Sequence, residues 1–176
     1  GEVASAAAVQ VIRRLDTAEI SGEDMIEALA GAVHRANERL SELVEEDPER
    51  EGMGSTVTAL MFDGKQLGLA HLGDSRAYRL RDGQLYQLSH DHTFVQSLVD
   101  QGRISEEEAT THPQRSVITK VLDGHDDLEE VRDRALHELD RRPHLRTGNL
   151  LTGPHEASQQ SDAVLSPLAA RVLLVR

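Results

Sequence analysis

The stretch Ser55-Thr56-Val57-Thr58-Ala59-Leu60-Met61-Phe62 runs straight into Asp63-Gly64, and this junction decides the fold. A β-branched and apolar run that stops at an Asp-Gly pair is the signature of a hairpin, because both central residues of a tight type I′ turn need positive φ. Gln66 to Leu72 reads as the returning strand, Gly73-Asp74 interrupts it, and Arg76 to Arg81 makes a third strand. Asp82-Gly83 repeats the turn signal before Leu85 to Leu88. Two-residue turns join only antiparallel neighbours, so an antiparallel sheet over residues 55–88 is expected. The unbroken apolar run Ala59-Leu60-Met61-Phe62 predicts central strands covered on both faces.

Upstream lies the cover for one face. Val3, Ala7, Val11, Ile12 and Leu15 recur at helical spacing and predict a helix over residues 2–16. A second helix is predicted over 22–46, with Ser21 as N-cap and Glu23 and Asp24 at its positive end. Its apolar face is Met25, Leu29, Val33, Ala36, Leu40 and Leu43. The acidic cluster Glu45, Glu46, Asp47, Glu49 and Glu51 around Pro48 reads as a solvated helix end and loop.

Downstream, Phe94, Leu98 and Val99 share a helical face that stops at Gly102, a C-cap. Ser105-Glu106-Glu107-Glu108 reads as a capping box opening a short helix, ended by Thr111-His112-Pro113. Val117 to Leu122 is predicted as a strand. From about Leu128 the texture changes. Only a weak helix over Leu128 to Leu139 is expected, Gly148 to Ser161 has little period, and Leu165 to Val175 is apolar without alternation.

Composition narrows the function classes. The 176 residues suit one domain or the larger part of one. A net charge of −12 argues against a general nucleic-acid binder, which needs a basic surface for phosphates. With two Tyr, two Phe and no Trp, the core must come from Leu, Val, Ile and Ala. The absence of Cys removes disulfides, thiolate nucleophiles and Cys-based zinc sites, and fits a cytoplasmic setting. No apolar run approaches the ~20 residues of a membrane span, so no membrane contact is expected from this segment. Gly1-Glu2-Val3 lacks the basic lead of a signal peptide and suggests a chain cut from something longer.

Three constellations bear on chemistry. Gly52-Met53-Gly54-Ser55 feeds a strand, whereas a phosphate-cradling loop feeds a helix N-terminus, so it reads as flexible strand entry. His90, His92 and His112, with Asp91, read as solvent-facing side chains at a strand end, since a metal site needs three convergent ligands with further support. Gly73-Asp74-Ser75 stays open between two readings, an ordinary turn and an oxygen ligand for a hard divalent cation beside a Gly that lets backbone come close.

At these residues the chain resembles the bacterial PPM-type metal-dependent serine/threonine phosphatases, the protein phosphatase 2C class. The likeness runs from Gly52-Met53-Gly54-Ser55-Thr56 through Leu72-Gly73-Asp74-Ser75-Arg76-Ala77-Tyr78, Arg81-Asp82-Gly83 and Ser89-His90-Asp91-His92-Thr93. It continues in Leu98-Val99-Asp100, Gly102-Arg103-Ile104 and His112-Pro113-Gln114-Arg115-Ser116, and closes at Leu122-Asp123-Gly124. Gly1-Glu2-Val3-Ala4-Ser5 resembles the segment after the family's Asp-Gly-Met-Gly-Gly metal loop. The order and spacing of many short motifs carry the specificity, over residues 1–127.

The resemblance implies an α+β fold, an antiparallel β-sandwich flanked by helices and here incomplete. It implies paired Mn²⁺ or Mg²⁺ ions that activate water against phosphoserine or phosphothreonine in proteins, with serine/threonine kinases as counterparts. It makes Asp74 a ligand of an additional, weaker metal site, Ser116 a flap serine that can join it, and Thr93 to Ser116 the flap. The family's phosphate-binding Arg and first metal-loop Asp would precede residue 1. Its downstream Gly-Asp, Ser-Asp-Gly and Asp-Asn motifs do not occur after Gly124, and Asp162 is a poor match for the second. Residues 1–127 are thus expected to be a partial phosphatase domain, and 128–176 a tail foreign to the family. The 17 Arg against 2 Lys suggest GC-rich coding DNA, in which that tail reads as a shifted frame. The leading expectation is an inactive fragment of a phosphoprotein phosphatase, with no catalytic residue of its own. The alternative is a non-catalytic phosphatase-like binding or regulatory module.

Overall fold

A computed structural model of the chain describes residues 1–17, 20, 24–62, 66–81, 84–125, 134–136 and 173–174. Two helices lead, α1 (Glu2–Ile12) and α2 (Met25–Glu46), followed by strands β1 (Val57–Phe62), β2 (Leu67–Leu72), β3 (Tyr78–Arg81) and β4 (Gln84–Gln87). Two short helices follow, α3 (Phe94–Asp100) and α4 (Glu106–Thr111), then the brief strands β5 (Arg134–Leu136) and β6 (Leu173–Leu174).

The helices cover the first sheet as their pattern requires. Met25, Leu29, Ala32, Val33, Ala36, Leu40 and Leu43 of α2 are buried, and they meet Ala4, Ala7, Ala8, Val11 and Ile12 of α1 and Val57, Ala59, Met61, Ala70 and Leu72 of the hairpin in one core. Gly68 sets the distance between the layers: a Cβ there would lie 2.7 Å from Met25 Sδ and 3.0 Å from Leu29 Cδ1. A larger residue would oblige the Met25 and Leu29 side chains to shift.

β1 and β2 pair antiparallel from Val57↔Leu72 to Phe62↔Leu67, as the Asp63-Gly64 signal predicts. β3 and β4 pair from Tyr78↔Gln87 to Arg81↔Gln84 across Asp82-Gly83. Both pairs of turn residues lie outside the described residues. The single sheet expected over 55–88 is corrected to two: a four-stranded sheet in the order β5-β2-β1-β6, and β3-β4 by itself. The division falls at Gly73, whose φ of +108° turns the chain out of the first sheet before β3 can pair with β2.

Other boundaries also shift. The first helix is α-helical only to Ile12 and tightens into a 3₁₀ turn over Arg13–Thr17 that buries Leu15. The second begins at Met25 with Asp24 in the N-cap position, while Ser21 lies outside the described residues. Val117 to Leu122 is not a strand. Ile118 bridges Thr93 and Leu122 bridges Ser55, so the segment serves two different partners and forms no continuous ladder. The helix expected over Leu128 to Leu139 is also not found where the residues are described, since Arg134–Leu136 forms β5 against β2; the remainder of that span lies outside the described residues, as do Gly148 to Ser161.

The two short helices end where the sequence says. Ser105 Oγ accepts from Glu108 N–H at 3.2 Å and Glu108 Oε2 accepts from Ser105 N–H at 2.7 Å, a complete capping box. These bonds to the charged form hold the Glu108 carboxyl below its ordinary range. At the end of α3, Gly102 N–H donates to Val99 O and Arg103 N–H to Leu98 O, the paired bonds of a Schellman stop.

Candidate functional site

The residues singled out by the sequence gather at the end of the β1–β2 hairpin where the chain leaves for β3. Gly73 is required there. Its φ is +108°, and a Cβ would collide with Thr56 Cγ2 and lie 2.6 Å from Thr56 Cβ. This corner leaves Asp74 exposed, and among the described residues its carboxylate makes no hydrogen bond or ion pair. The next residue is tied back. Ser75 Oγ lies 2.7 Å from Thr56 Oγ1, and Thr58 Oγ1 donates to the Ser75 carbonyl at 3.2 Å.

A second segment zips against this corner. His92 N–H donates to the Gly73 carbonyl at 2.8 Å, and Gly73 N–H donates to His92 Nδ1 at 3.0 Å. The guanidinium of Arg76 holds Asp91 through Nε at 3.0 and 2.9 Å and Nη2 at 2.6 Å. Asp91 is buried, and the hydrogen bonds to its carboxylate raise Arg76 above the ordinary arginine range. Ala77 N–H donates to Ser89 Oγ at 2.9 Å and Leu88 N–H to the Ala77 carbonyl at 2.8 Å. Residues 73–77 and 88–92 are therefore one unit.

Behind it sits a buried imidazole. His71 on β2 is 4% exposed, its Nδ1 lies 2.9 Å from Thr58 Oγ1, and its ring stacks on His92 at 5.1 Å. A hydroxyl has one proton, so with Thr58 donating to Ser75 it accepts from His71 Nδ1–H. His71 Nε2 is buried without a hydrogen-bond partner. Burial pushes the His71 pKa down, because charging the ring would strand a cation in the interior.

The flap segment attaches through main-chain bonds. Phe94 N–H donates to the Val117 carbonyl at 2.9 Å and Thr119 N–H to the His92 carbonyl at 2.8 Å. Ser116 is exposed, and among the described residues no hydrogen bond joins it to Asp74. The three histidines diverge. His90 Nε2 is 2.8 Å from Asp100 Oδ2, His92 faces Gly73, and His112 Nδ1 accepts from Gln114 N–H at 3.1 Å. Of the three only His90 is exposed, so the reading of all three as solvent-facing is corrected: His92 and His112 are half-buried acceptors of backbone amides. Ser55 exchanges two backbone bonds of 2.9 Å with Leu122, which makes Gly52-Met53-Gly54-Ser55 a strand entry.

The sequence reading missed Asp91 and His92 as anchors of the Asp74 corner. Both stand in the visible run His90-Asp91-His92, but their partners, Arg76 and Gly73, are set by which segments lie side by side. For a divalent ion the donor chemistry fits in part. Among the described residues Asp74 offers a hard carboxylate without a partner, beside a glycine whose place no Cβ can fill, whereas no group of three His, Asp or Glu able to hold a metal occurs there.

Helices on a hairpin sheet, with a glycine corner presenting a carboxylate at one end, define a class that the comparisons identify. The protein phosphatase 2C model matches residues 8–123, and the chain belongs to that family. It is 51% identical over 126 residues to the serine/threonine protein phosphatase PstP of Mycobacterium tuberculosis, covering 72% of this chain and 24% of that protein. It is 32% identical over 125 residues to the serine/threonine phosphatase stp of Listeria monocytogenes, covering 69% of this chain and 50% of the relative. The crystal structure of M. tuberculosis PstP superposes with a TM-score of 0.70 at 48% identity, over 76% of this chain and 57% of that one. The PstP catalytic domain in complex with two manganese ions gives 0.66 at 44% identity, over 77% and 56%. The chain thus spans a quarter to half of these curated relatives and little more than half of the solved domains. Among the described residues no helix is long and apolar enough to cross a membrane.

Proposed function

We propose that this chain is the helix–hairpin–flap part of a phosphatase domain that hydrolyses phosphoserine and phosphothreonine in proteins, in the cytoplasm and opposite serine/threonine kinases. One observation carries the reading: the family match over residues 8–123 coincides with the unit that holds the Asp74 corner and the flap together. When bound, a pair of Mn²⁺ or Mg²⁺ ions supplies an activated water and neutralises phosphoryl oxygens. Asp74 is the carboxylate ligand of a peripheral ion, and the Ser116 hydroxyl is its partner on the flap. Arg76 is not the phosphate-binding arginine, because Asp91 already occupies its fork.

A lone carboxylate and a neutral hydroxyl compete poorly with hydration of a divalent ion, so the 176 residues by themselves have no turnover. That same shortage of ligands favours a second reading, a non-catalytic phosphatase-like module that binds partners. The two separate in one assay. A phosphothreonine peptide is offered with Mn²⁺ to the 176-residue chain and to a chain extended on both sides. Turnover by the extended chain alone supports the phosphatase reading, turnover by the short chain refutes the ligand assignment, and an inactive extended chain favours the binding module.

A further inference from the structure

We infer that His92 is a positioning residue for the Gly73-Asp74 corner, backed by His71 and Thr58; the inference rests on the reading of Asp74 as an ion ligand. An exposed carboxylate on a turn is a useful ligand only if its backbone is fixed. On the Gly73 side the structure fixes it from one residue. His92 uses its backbone N–H to hold the Gly73 carbonyl at 2.8 Å and its Nδ1 to accept the Gly73 N–H at 3.0 Å. Both polar groups of the residue before Asp74 are therefore satisfied by the same partner.

The geometry also specifies the chemical state of His92. A nitrogen that accepts an N–H carries no proton, so the ring is neutral and protonated on Nε2. Its plane is set from behind by the His71 ring, stacked at 5.1 Å with 24° between planes. His71 is in turn held through Nδ1 by Thr58, whose hydroxyl also binds the Ser75 carbonyl. The Asp74 backbone is thus gripped on both sides, at Gly73 by His92 and at Ser75 by Thr58. The partners lie on β1, β2 and the segment leading into α3. Groups that orient metal ligands in this way carry ~10-fold or more of ion affinity.

The test uses the ¹⁵N-labelled 176-residue chain and MnCl₂. His92→Phe keeps a ring to stack on His71 and removes the acceptor; His92→Asn loses the stack but places an amide oxygen near the former Nδ1. The expected result is a Gly73 amide exchange rate ~10-fold faster in His92→Phe and near wild type in His92→Asn, with similar Tm values for the two variants. Mn²⁺-induced broadening at Asp74 should need ~10-fold more metal in His92→Phe and be restored by His92→Asn. Unchanged Gly73 exchange in His92→Phe, or equal losses in both variants, overturns the positioning role. Asp74→Asn separates this from the ion reading. If Gly73 exchange responds as expected but broadening is indifferent to Asp74→Asn, the corner is positioned by His92 and Asp74 is not the ligand.

Discussion

Arg76 and Asp91 form an asymmetric pair: the carboxylate is 7% exposed, the guanidinium 47%. The buried partner depends on the exposed one, and the reverse does not hold. Removing Arg76 strands a carboxylate in the interior, where Gln87 Nε2 at 3.3 Å is a weak substitute. Removing Asp91 returns a guanidinium to water.

Arg76→Met is accordingly expected to cost ~2 kcal/mol and Asp91→Asn only ~1 kcal/mol. Urea midpoints of the two variants check the order; equal losses would mean that the pair contributes through packing alone.

Gly73→Ala should be among the most damaging small substitutions in the chain. It adds positive-φ strain to a collision with Thr56, for a loss of about 3 kcal/mol. Thr56→Ala should not rescue it, because the Thr56 Cβ, 2.6 Å from the new methyl, remains. Thermal unfolding of the single and double variants decides the point, and full rescue would locate the problem in the Thr56 methyl group.

His71 makes stability depend on acid. Its folded pKa lies below the ordinary 6.5, so the unfolded chain takes up the proton first. The stability it contributes is complete above about pH 6.5 and declines as the pH falls toward the folded pKa, below which the slope from this group ends. His71→Asn, which keeps a donor toward Thr58, should flatten the stability profile below about pH 6.5. An unchanged slope would show that His71 charges as readily in the folded chain as in the unfolded one.

Asn37 and Arg39 sit two residues apart on α2 with opposite consequences. Asn37 is buried, accepts from Asp123 N–H and Gly124 N–H at 3.2 and 2.9 Å, and donates to the His125 carbonyl at 2.7 Å. Asn37→Leu leaves three backbone groups unpaired and should cost ~3 kcal/mol. Arg39 bonds Glu42 and Glu46 on the surface, and Arg39→Ala should leave the denaturation midpoint unchanged. Chemical denaturation of both variants is the check.

Local chemistry was legible in the sequence wherever it was self-contained. The hairpin pairings and the Ser105 capping box each depend on a few neighbouring residues, and all were found as read. Features requiring knowledge of spatial neighbours were not legible. The split into two sheets falls at Gly73, where a positive φ and the missing Cβ let the chain turn close against Thr56, and the failure of Val117 to Leu122 to form a strand follows from its two separate partners. At the candidate site the sequence pointed to Asp74 and Ser116. The histidines could be listed but not assigned, because whether an imidazole faces solvent or a backbone amide depends on the segment laid against it.

The strand order β5-β2-β1-β6 implies a sequence of events in folding. The strands of the central pair are only a few residues apart in sequence and lie next in the chain to α2, so hairpin and helix can meet after closing only short loops. β5 and β6 come from far along the chain and add to the two edges, where each encounter must wait for a long loop to close. The sheet is therefore expected to grow from the middle outward, with β5 and β6 docking after the rate-limiting step. Weakening β5 or β6 should speed unfolding and leave the refolding rate nearly untouched, whereas weakening the contact of Met25 and Leu29 with Gly68 should slow refolding itself.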